Sequence, residues 1–274
     1  MGKSPHRQVE RYRDKIVILG SGNVATHLAI AFDKVADVVQ VWSRTGANAQ
    51  ILAKRLINAQ ATCNFSEIIP NADFYIIAVS DDAIIPVIRN IKDVHGIIAH
   101  TSGTFPLDEA RKILKSENCG VLYPLQTFSK NSSVDVRDVP FLIEGANPIT
   151  ERKLISLALK ISSNTECANS QTRAYIHLAA VFANNFANYS WIIADKILKE
   201  NTNFNFSLFK PLLEESLRKA LTLTPYRAQT GPAKRGDTST IESQLNKLGA
   251  EYSSVYKLLT EKIIQEFNND QPDK

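Results

Sequence analysis

Between residues 15 and about 167 the chain alternates short apolar, β-branched runs with amphipathic segments. The runs predict strands over 15–19, 38–42, 74–79, 96–100, 119–123 and 139–144, and the segments after the first two predict helices over 24–33 and 47–56. Strands that alternate with helices argue for a parallel sheet covered on both faces, because each crossover must pack back onto the sheet. This half therefore reads as doubly wound α/β. From about residue 171 the β-branched runs stop, and three long helical segments are expected over 172–200, 207–223 and 238–267. A loop rich in Gly and Pro, 224–237, separates the last two. The change of period puts a boundary near 162–170. The expected organisation is a flexible segment 1–14, an α/β domain 15–168, an all-helical C-terminal domain 169–267 and a tail 268–274.

With 274 residues, 44% of them hydrophobic and 22% charged, the chain can bury a sizeable core and is expected to be globular. Lys and Arg number 32 against 28 Asp and Glu, a formal charge of +4. Part of the excess lies in Lys3, Arg7, Arg11, Arg13 and Lys15. No basic stripe interleaved with aromatic residues accompanies it, so a nucleic-acid partner is not expected, and a polar, frayed terminus accounts for the cluster. Cys63, Cys119 and Cys167 are odd in number and far apart, which fits neither a disulfide framework nor a zinc site and suggests a reducing compartment. The N-terminus lacks the apolar core of a secretory leader, and no apolar run approaches the ~18 to 20 residues needed to span a bilayer. The expectation is a soluble, cytoplasmic protein with no membrane partner.

The chemistry begins at Lys15-Ile16-Val17-Ile18-Leu19-Gly20-Ser21-Gly22-Asn23-Val24-Ala25, a hydrophobic strand, a glycine-rich turn and the start of a helix. Gly20 permits the tight turn, Gly22 lets backbone approach a pyrophosphate, and Ala25 stands at the third small position, where helix packs on strand. The helix N-terminus offers unpaired N–H groups and its positive dipole end to phosphates. Dinucleotide binding is the expected role. At the end of the second strand, Val41-Trp42-Ser43-Arg44-Thr45 has no carboxylate to repel a 2′-phosphate and has a guanidinium and hydroxyls to bind one, which favours NADP(H) over NAD. The alternative is that Arg44 is a solvated charge at a strand end. Ala78, Val79 and Ser80 end the third strand, where the chain should pass beside the cofactor. Asp81 and Asp82 follow. With no third ligand in view they read as helix-capping carboxylates, and no metal site is expected.

On Gly20 to Ala25, His100-Thr101-Ser102-Gly103, Tyr123-Pro124-Leu125-Gln126-Thr127-Phe128, the helix around Tyr175, His177 and Asn184, and the loop from Gly231 to Asp237, the chain resembles a known family. These are Rossmann-like proteins with a C-terminal domain of uncharacterised function, often labelled oxidoreductases, relatives of pyrroline-5-carboxylate reductase, ketopantoate reductase and the 6-phosphogluconate dehydrogenase group. The resemblance covers nearly all of 15–267. It implies a doubly wound, NADP-binding Rossmann domain, a helical domain that forms a homodimer, and an active site in the cleft between them.

In the related hydroxyacid dehydrogenases a Ser-Gly turn touches substrate near the nicotinamide, and Ser102-Gly103 looks like that turn. A Ser/His nucleophile pair is disfavoured, since there is no G-x-S-x-G elbow and no partner acid. Arg173, His177, Asn184 and Asn188 recur in steps of four, seven and four, which at helical spacing forms a polar stripe on an otherwise apolar helix. Buried polar groups need partners, and a ligand cleft would supply them. The relatives carry a catalytic Lys one turn before the Asn. Here Ala180 and Val181 precede Asn184 and Asn185, so that lysine is absent. His177 is the candidate substitute, because an imidazole can protonate a developing alkoxide or amide near neutral pH. The competing role is a core or dimer-interface histidine satisfied by a backbone carbonyl. Asn184 would orient substrate, or bond only to the neighbouring domain. In the loop Thr230 to Asp237, Pro232 and Gly236 fix the shape, Asp237 caps the next helix, and Lys234 or Arg235 could clamp a carboxylate. A plain interhelical turn with solvated cations is the alternative.

Together these readings lead to an NADPH-dependent oxidoreductase that transfers hydride to a small carboxylate-bearing carbonyl or imine. A 2-oxo acid such as ketopantoate and a cyclic imine such as pyrroline-5-carboxylate fit equally. The rival is a non-catalytic NADP-binding sensor or scaffold, in which the missing lysine marks lost catalysis.

Overall fold

The computed structural model describes residues 12–130, 132 and 134–268. Its strands are β1 (Lys15–Leu19), β2 (Asp37–Trp42), β3 (Gln60–Thr62), β4 (Phe74–Ile77), β5 (Ile97–His100), β6 (Cys119–Pro124), β7 (Phe141–Gly145) and β8 (Thr165–Cys167). They form one sheet in the order β3-β2-β1-β4-β5-β6-β7-β8. Every pairing is parallel except β6 with β7. The six expected strands are present. The antiparallel turn at β7, and the three-residue strands β3 and β8 at the two edges, are not in the sequence reading. Gln60-Ala61-Thr62 and Thr165-Glu166-Cys167 are too short and too polar to show a period.

Strand residues point alternately to the two faces, and here both faces are covered. Ile16 and Ile18 of β1 and Phe74 and Ile76 of β4 join one core with Leu28 and Phe32 of α1 (Asn23–Asp33), Leu52 of α2 (Gly46–Ala53) and Leu154 of α5 (Pro148–Ala158). Val17, Leu19, Tyr75 and Ile77 join the other with Ile84 and Val87 of α3 (Asp81–Asn90) and Ala110 of α4 (Leu107–Leu114). That is why β1 and β4 read as unbroken apolar runs instead of alternating ones.

The first compact unit ends at Asn184 and therefore includes α6 (Ser170–Ala180). The second begins at Asn185 and holds α7 (Ala187–Asn201), α8 (Lys210–Leu223), α9 (Pro225–Ala228), α10 (Pro232–Arg235), α11 (Thr238–Lys247) and α12 (Ala250–Asn268). Two expected helices are corrected. The segment 172–200 is interrupted by a π turn, Val181–Phe186, which lies between α6 and α7. The segment 238–267 is two helices, because Leu248 is extended (ψ 134°) and Gly249 follows it. Among the described residues of the second unit only Tyr252 is buried.

The expected flexible segment lies outside the described residues except for its last three. Tyr12 donates to both carboxylate oxygens of Asp73 (2.7 and 2.8 Å), Arg13 to Asp37 (2.7 Å), and Asp14 pairs with Lys160 (2.6 Å). Of the expected tail only Asn268 is described, and it ends α12. Among the described residues no helix is long and apolar enough to cross a membrane, and no group of three His, Cys, Asp or Glu is placed to hold a metal.

Candidate functional site

In an open α/β sheet the crevice forms outside the carboxyl ends of the strands where the strand order reverses, here between β1 and β4. A pocket of about 840 Å³ lies there. All ten residues that the sequence reading put against a cofactor line it: Gly20, Ser21, Gly22, Asn23 and Val24 after β1, Ser43 and Arg44 after β2, and Ala78, Val79 and Ser80 after β4. It missed Trp42, Thr45, Asn48, Phe65, Asp82, Ala83, Pro86 and Val87, which complete the lining. They come from the end of β2 and the start of α2 (Trp42, Thr45, Asn48), the connection after β3 (Phe65) and α3 (Asp82, Ala83, Pro86, Val87), for which the glycine motif holds no signal. Trp42 stacks on Phe65 with ring centroids 4.3 Å apart, and its buried Nε1 has no hydrogen-bond partner.

The turn is built as its residue types require. Gly20 has φ +136°, and a Cβ there would sit 2.1 Å from the Ala78 carbonyl oxygen. Its N–H donates to the Trp42 carbonyl (2.8 Å), tying the turn to β2. Gly22 is the N-cap of α1, with an ordinary φ of −76° and no side chain to cap the first N–H groups. A Cβ on it would meet no protein atom within 4 Å. Ala25 is fully buried against the sheet. The hydroxyls of Ser21 and Ser43 hydrogen-bond at 2.8 Å. Arg44 is exposed and makes no ion pair with a described residue. The arrangement combines free helix N–H groups, hydroxyls and a guanidinium, which is a donor set for phosphates.

Asp81 and Asp82 do not cap. The N-cap of α3 is Ser80, without a side-chain cap, and both carboxylates lie in the first turn, where they complement the helix dipole. Asp81 accepts a 2.5 Å hydrogen bond from Thr104, and Asp82 lines the pocket.

A second cluster forms around the turn after β5. Ser102 is nearly buried, and its Oγ accepts from the N–H groups of Thr104 (3.1 Å) and Phe105 (2.9 Å), so the hydroxyl shapes the turn and keeps only its proton to donate. His100 does not touch that hydroxyl. Its Nδ1 accepts from the Ser102 N–H at 3.3 Å, Nε2 has no partner, and burial, aided by the charge of Arg173, pushes its pKa down to about 3. A neutral ring so placed is no base for Ser102.

His177 packs directly on Gly103: a Cβ at Gly103 would lie 2.6 Å from His177 Nδ1 and 2.7 Å from Cγ. Gly103, next to Ser102 in the chain, and His177 are thus neighbours. Nδ1 of His177 hydrogen-bonds the Tyr123 hydroxyl at 2.9 Å, and Nε2 makes no hydrogen bond to a described residue.

The polar stripe is corrected. Arg173 is fully buried and finds most of its partners inside the protein: it ion-pairs with Glu144 and donates to the Phe105 carbonyl (2.7 Å) and to Ser170 Oγ (3.3 Å), while its Nε has no hydrogen-bond partner among the described residues. Asn184 lies in the π turn and is exposed. A residue of an i→i+5 turn advances less than one in an α-helix, so the constant period that aligned Asn184 and Asn188 with His177 does not hold. Lys234 and Arg235 belong to the second unit, on α10. Lys234 donates to the Gln229 carbonyl (2.9 Å) and sits 4.5 Å from the centroid of the Phe267 ring. Asp237 caps α11 as expected, accepting from Thr240 N (3.1 Å) and Oγ1 (2.8 Å), and these bonds hold its carboxyl below the usual range.

A parallel sheet with a glycine turn at its switch point, followed by helices, defines the Rossmann-like class. Residues 2–122 match the model of a Rossmann-like domain, and residues 139–263 match that of a domain of unknown function, DUF2520. No curated protein matches in sequence. A Bacteroides fragilis protein, provisionally described as an NADP oxidoreductase, is 35% identical over 92% of this chain and 98% of its own, with a TM-score of 0.86. The chain belongs to its family, as the motifs suggested. At the level of fold alone it is similar to a reductive aminase from Aspergillus terreus in complex with NADPH and ethyl-5-oxohexanoate (15% identity, 93% and 95% coverage, TM-score 0.69). An imine reductase from Pseudomonas sp. is similar in the same way (16%, 94% and 93%, TM-score 0.63).

Proposed function

We propose that the protein is an NADPH-dependent oxidoreductase that reduces a small carbonyl or imine. The observation that carries this is the pocket at the switch point, where the free N-terminus of α1, the Gly22 cradle, Ser43 and Arg44, which has no ion pair among the described residues, converge. The description of the Bacteroides relative as an NADP oxidoreductase, and the NADPH held by the reductive aminase of like fold, support the same reading. The glycine turn would hold the pyrophosphate, and Ser43 and Arg44 the 2′-phosphate. Bound there, the reduced nicotinamide supplies the hydride. His177 gives a proton to the reduced atom, Ser102 turns its hydroxyl proton from Thr104 Oγ1 (3.5 Å) to substrate, and Asn184 orients it. A substrate carboxylate, with Arg235 as its partner, rests on the composition of the loop. Both 2-oxo acids and cyclic imines satisfy these demands.

The test is NADPH oxidation by the purified protein against short 2-oxo acids and cyclic imines, with NADH in parallel. Turnover with one class, and an NADPH preference that Arg44→Asp abolishes, is the expected result. NADPH binding without turnover of either class would favour the sensor reading, which the Ala180 and Val181 positions motivate. Gly22→Ala gives a sharper test of the pocket. Its φ suits any residue and the Cβ clashes with no protein atom, so the melting temperature stays at the wild-type value. NADPH affinity, followed by nicotinamide fluorescence, falls by a factor on the order of 10 to 100, ~1.4 to 2.8 kcal/mol. Equal affinity would remove the phosphates from this turn.

The helical unit is proposed to pair with a second copy. Its helices expose Trp191 and Ile192 on α7, Leu217 and Leu221 on α8, and Leu258 and Leu259 on α12, apolar surface that association would take from water. Light scattering should give twice the 30.5 kDa chain mass, and a monomer at micromolar concentration would refute the pairing.

A further inference from the structure

Tyr123 ends the motif Tyr123 to Phe128 on its strand side, at the next-to-last position of β6, and has no role in the function proposed above. Its side chain is nearly buried, and among the described residues His177 Nδ1, at 2.9 Å, is the one hydrogen-bond partner of its hydroxyl. The rings meet edge to face, centroids 5.8 Å apart. Gly103 packs against the Nδ1–Cγ edge of the imidazole, and Nε2 is the ring nitrogen without a hydrogen bond to a described residue.

We propose that Tyr123 is a positioning residue that donates its phenol proton to His177 Nδ1 and so keeps the neutral imidazole in the Nε2–H tautomer, with that proton presented to substrate. The inference rests on the reading of His177 as the proton donor. A buried hydroxyl seeks an acceptor, and a neutral imidazole has one nitrogen that accepts and one that donates. With Nδ1 committed to the phenol, the ring proton must be on Nε2. A neutral ring held this way can hydrogen-bond a carbonyl or imine acceptor and polarise it. The proton balance closes through the pair. As the reduced oxygen or nitrogen takes the Nε2 proton, the Nε2–H bond breaks and the phenol proton moves to Nδ1; when Nε2 then takes a proton from solvent water, the Nδ1 proton returns to the phenolate oxygen and the starting tautomer is restored. Burial raises the phenol pKa, as does Asp81, with the charge of Arg173 acting against them, so the hydroxyl is the donor at neutral pH.

The imidazole nitrogens of the uniformly ¹⁵N-labelled full-length protein report the tautomer directly through long-range proton–nitrogen correlations, with the His177 signals assigned by their loss in His177→Asn. The expected result is a single neutral tautomer protonated on Nε2, with Nδ1 an acceptor, which in Tyr123→Phe becomes a mixture. Tyr123→Phe should also lower kcat about tenfold with the KM for NADPH unchanged. Protonation on Nδ1 in the wild-type protein, or identical His177 signals in wild type and Tyr123→Phe, would overturn the proposal; the wild-type spectrum alone decides if the variant does not fold. The Nε2–H tautomer together with no turnover of any carbonyl or imine would leave the Tyr123–His177 pairing standing and defeat the proposed function instead.

Discussion

Replacing His177 by Ala should lower kcat for carbonyl or imine reduction by a factor on the order of 10³, with the Kd for NADPH unchanged. A positioned general acid contributes ~10² to 10⁴ to rate. The pocket assigned to the cofactor contains neither His177 nor any residue of α6, so binding should not report the change. The alternative, a histidine that only fills the core, predicts lost stability and little lost rate. The ring's partner here is a phenol instead of a backbone carbonyl, and the side chain is only half-buried. Truncation should therefore cost about 1 kcal/mol of stability, the worth of one hydrogen bond. Gly103→Ala supplies an independent route to the same loss, because its Cβ would displace the imidazole while leaving it in the sequence. A His177→Ala enzyme within about threefold of wild-type kcat would end its role as donor.

Glu144→Ala should destabilise the first unit by about 3 kcal/mol. Arg173 is fully buried, and Glu144 is its counter-charge. Removing one member of a buried pair leaves the other charge without compensation, which typically costs ~3 to 5 kcal/mol. The lower end applies because the guanidinium keeps the Phe105 carbonyl and Ser170 Oγ, and because the Glu144 side chain is 17% exposed. Urea denaturation followed by the fluorescence of Trp42 in the first unit gives the difference. Glu144→Ala combined with Arg173→Met should recover most of the loss, since no charge is then stranded. A double variant no more stable than Glu144→Ala would mean that packing, and not charge, is what Glu144 supplies. The pair also bears on the site, because Arg173 holds the Phe105 carbonyl at the end of the turn that carries Ser102 and Gly103.

Much of this was legible in the chain because it is local. Unbroken apolar runs at β1 and β4 follow from a sheet covered on both faces, and Gly20 and Ala25 occupy positions where backbone geometry or close packing admits little else, while Gly22 keeps the N-terminus of α1 open. The ten pocket residues adjoin strand ends, so finding the strands found them. Asp237 could be assigned as a cap for the same reason: its partner is three residues away. What required the tertiary structure are relations between residues distant in sequence. Arg173 reads as a polar residue awaiting a ligand until Glu144, 29 positions away, is brought beside it. Tyr123 reads as the end of a buried strand until α6 sets His177, 54 positions on, against its hydroxyl. The π turn at Val181–Phe186 breaks a period that the sequence extends through it, and Phe65 reaches Trp42 only after β3 folds back along the sheet edge. Local propensity decides which backbone conformations are cheap, and it therefore announces turns, caps and strands. The partner of a buried charge or imidazole is decided by packing across the whole unit, and no spacing along the chain encodes it.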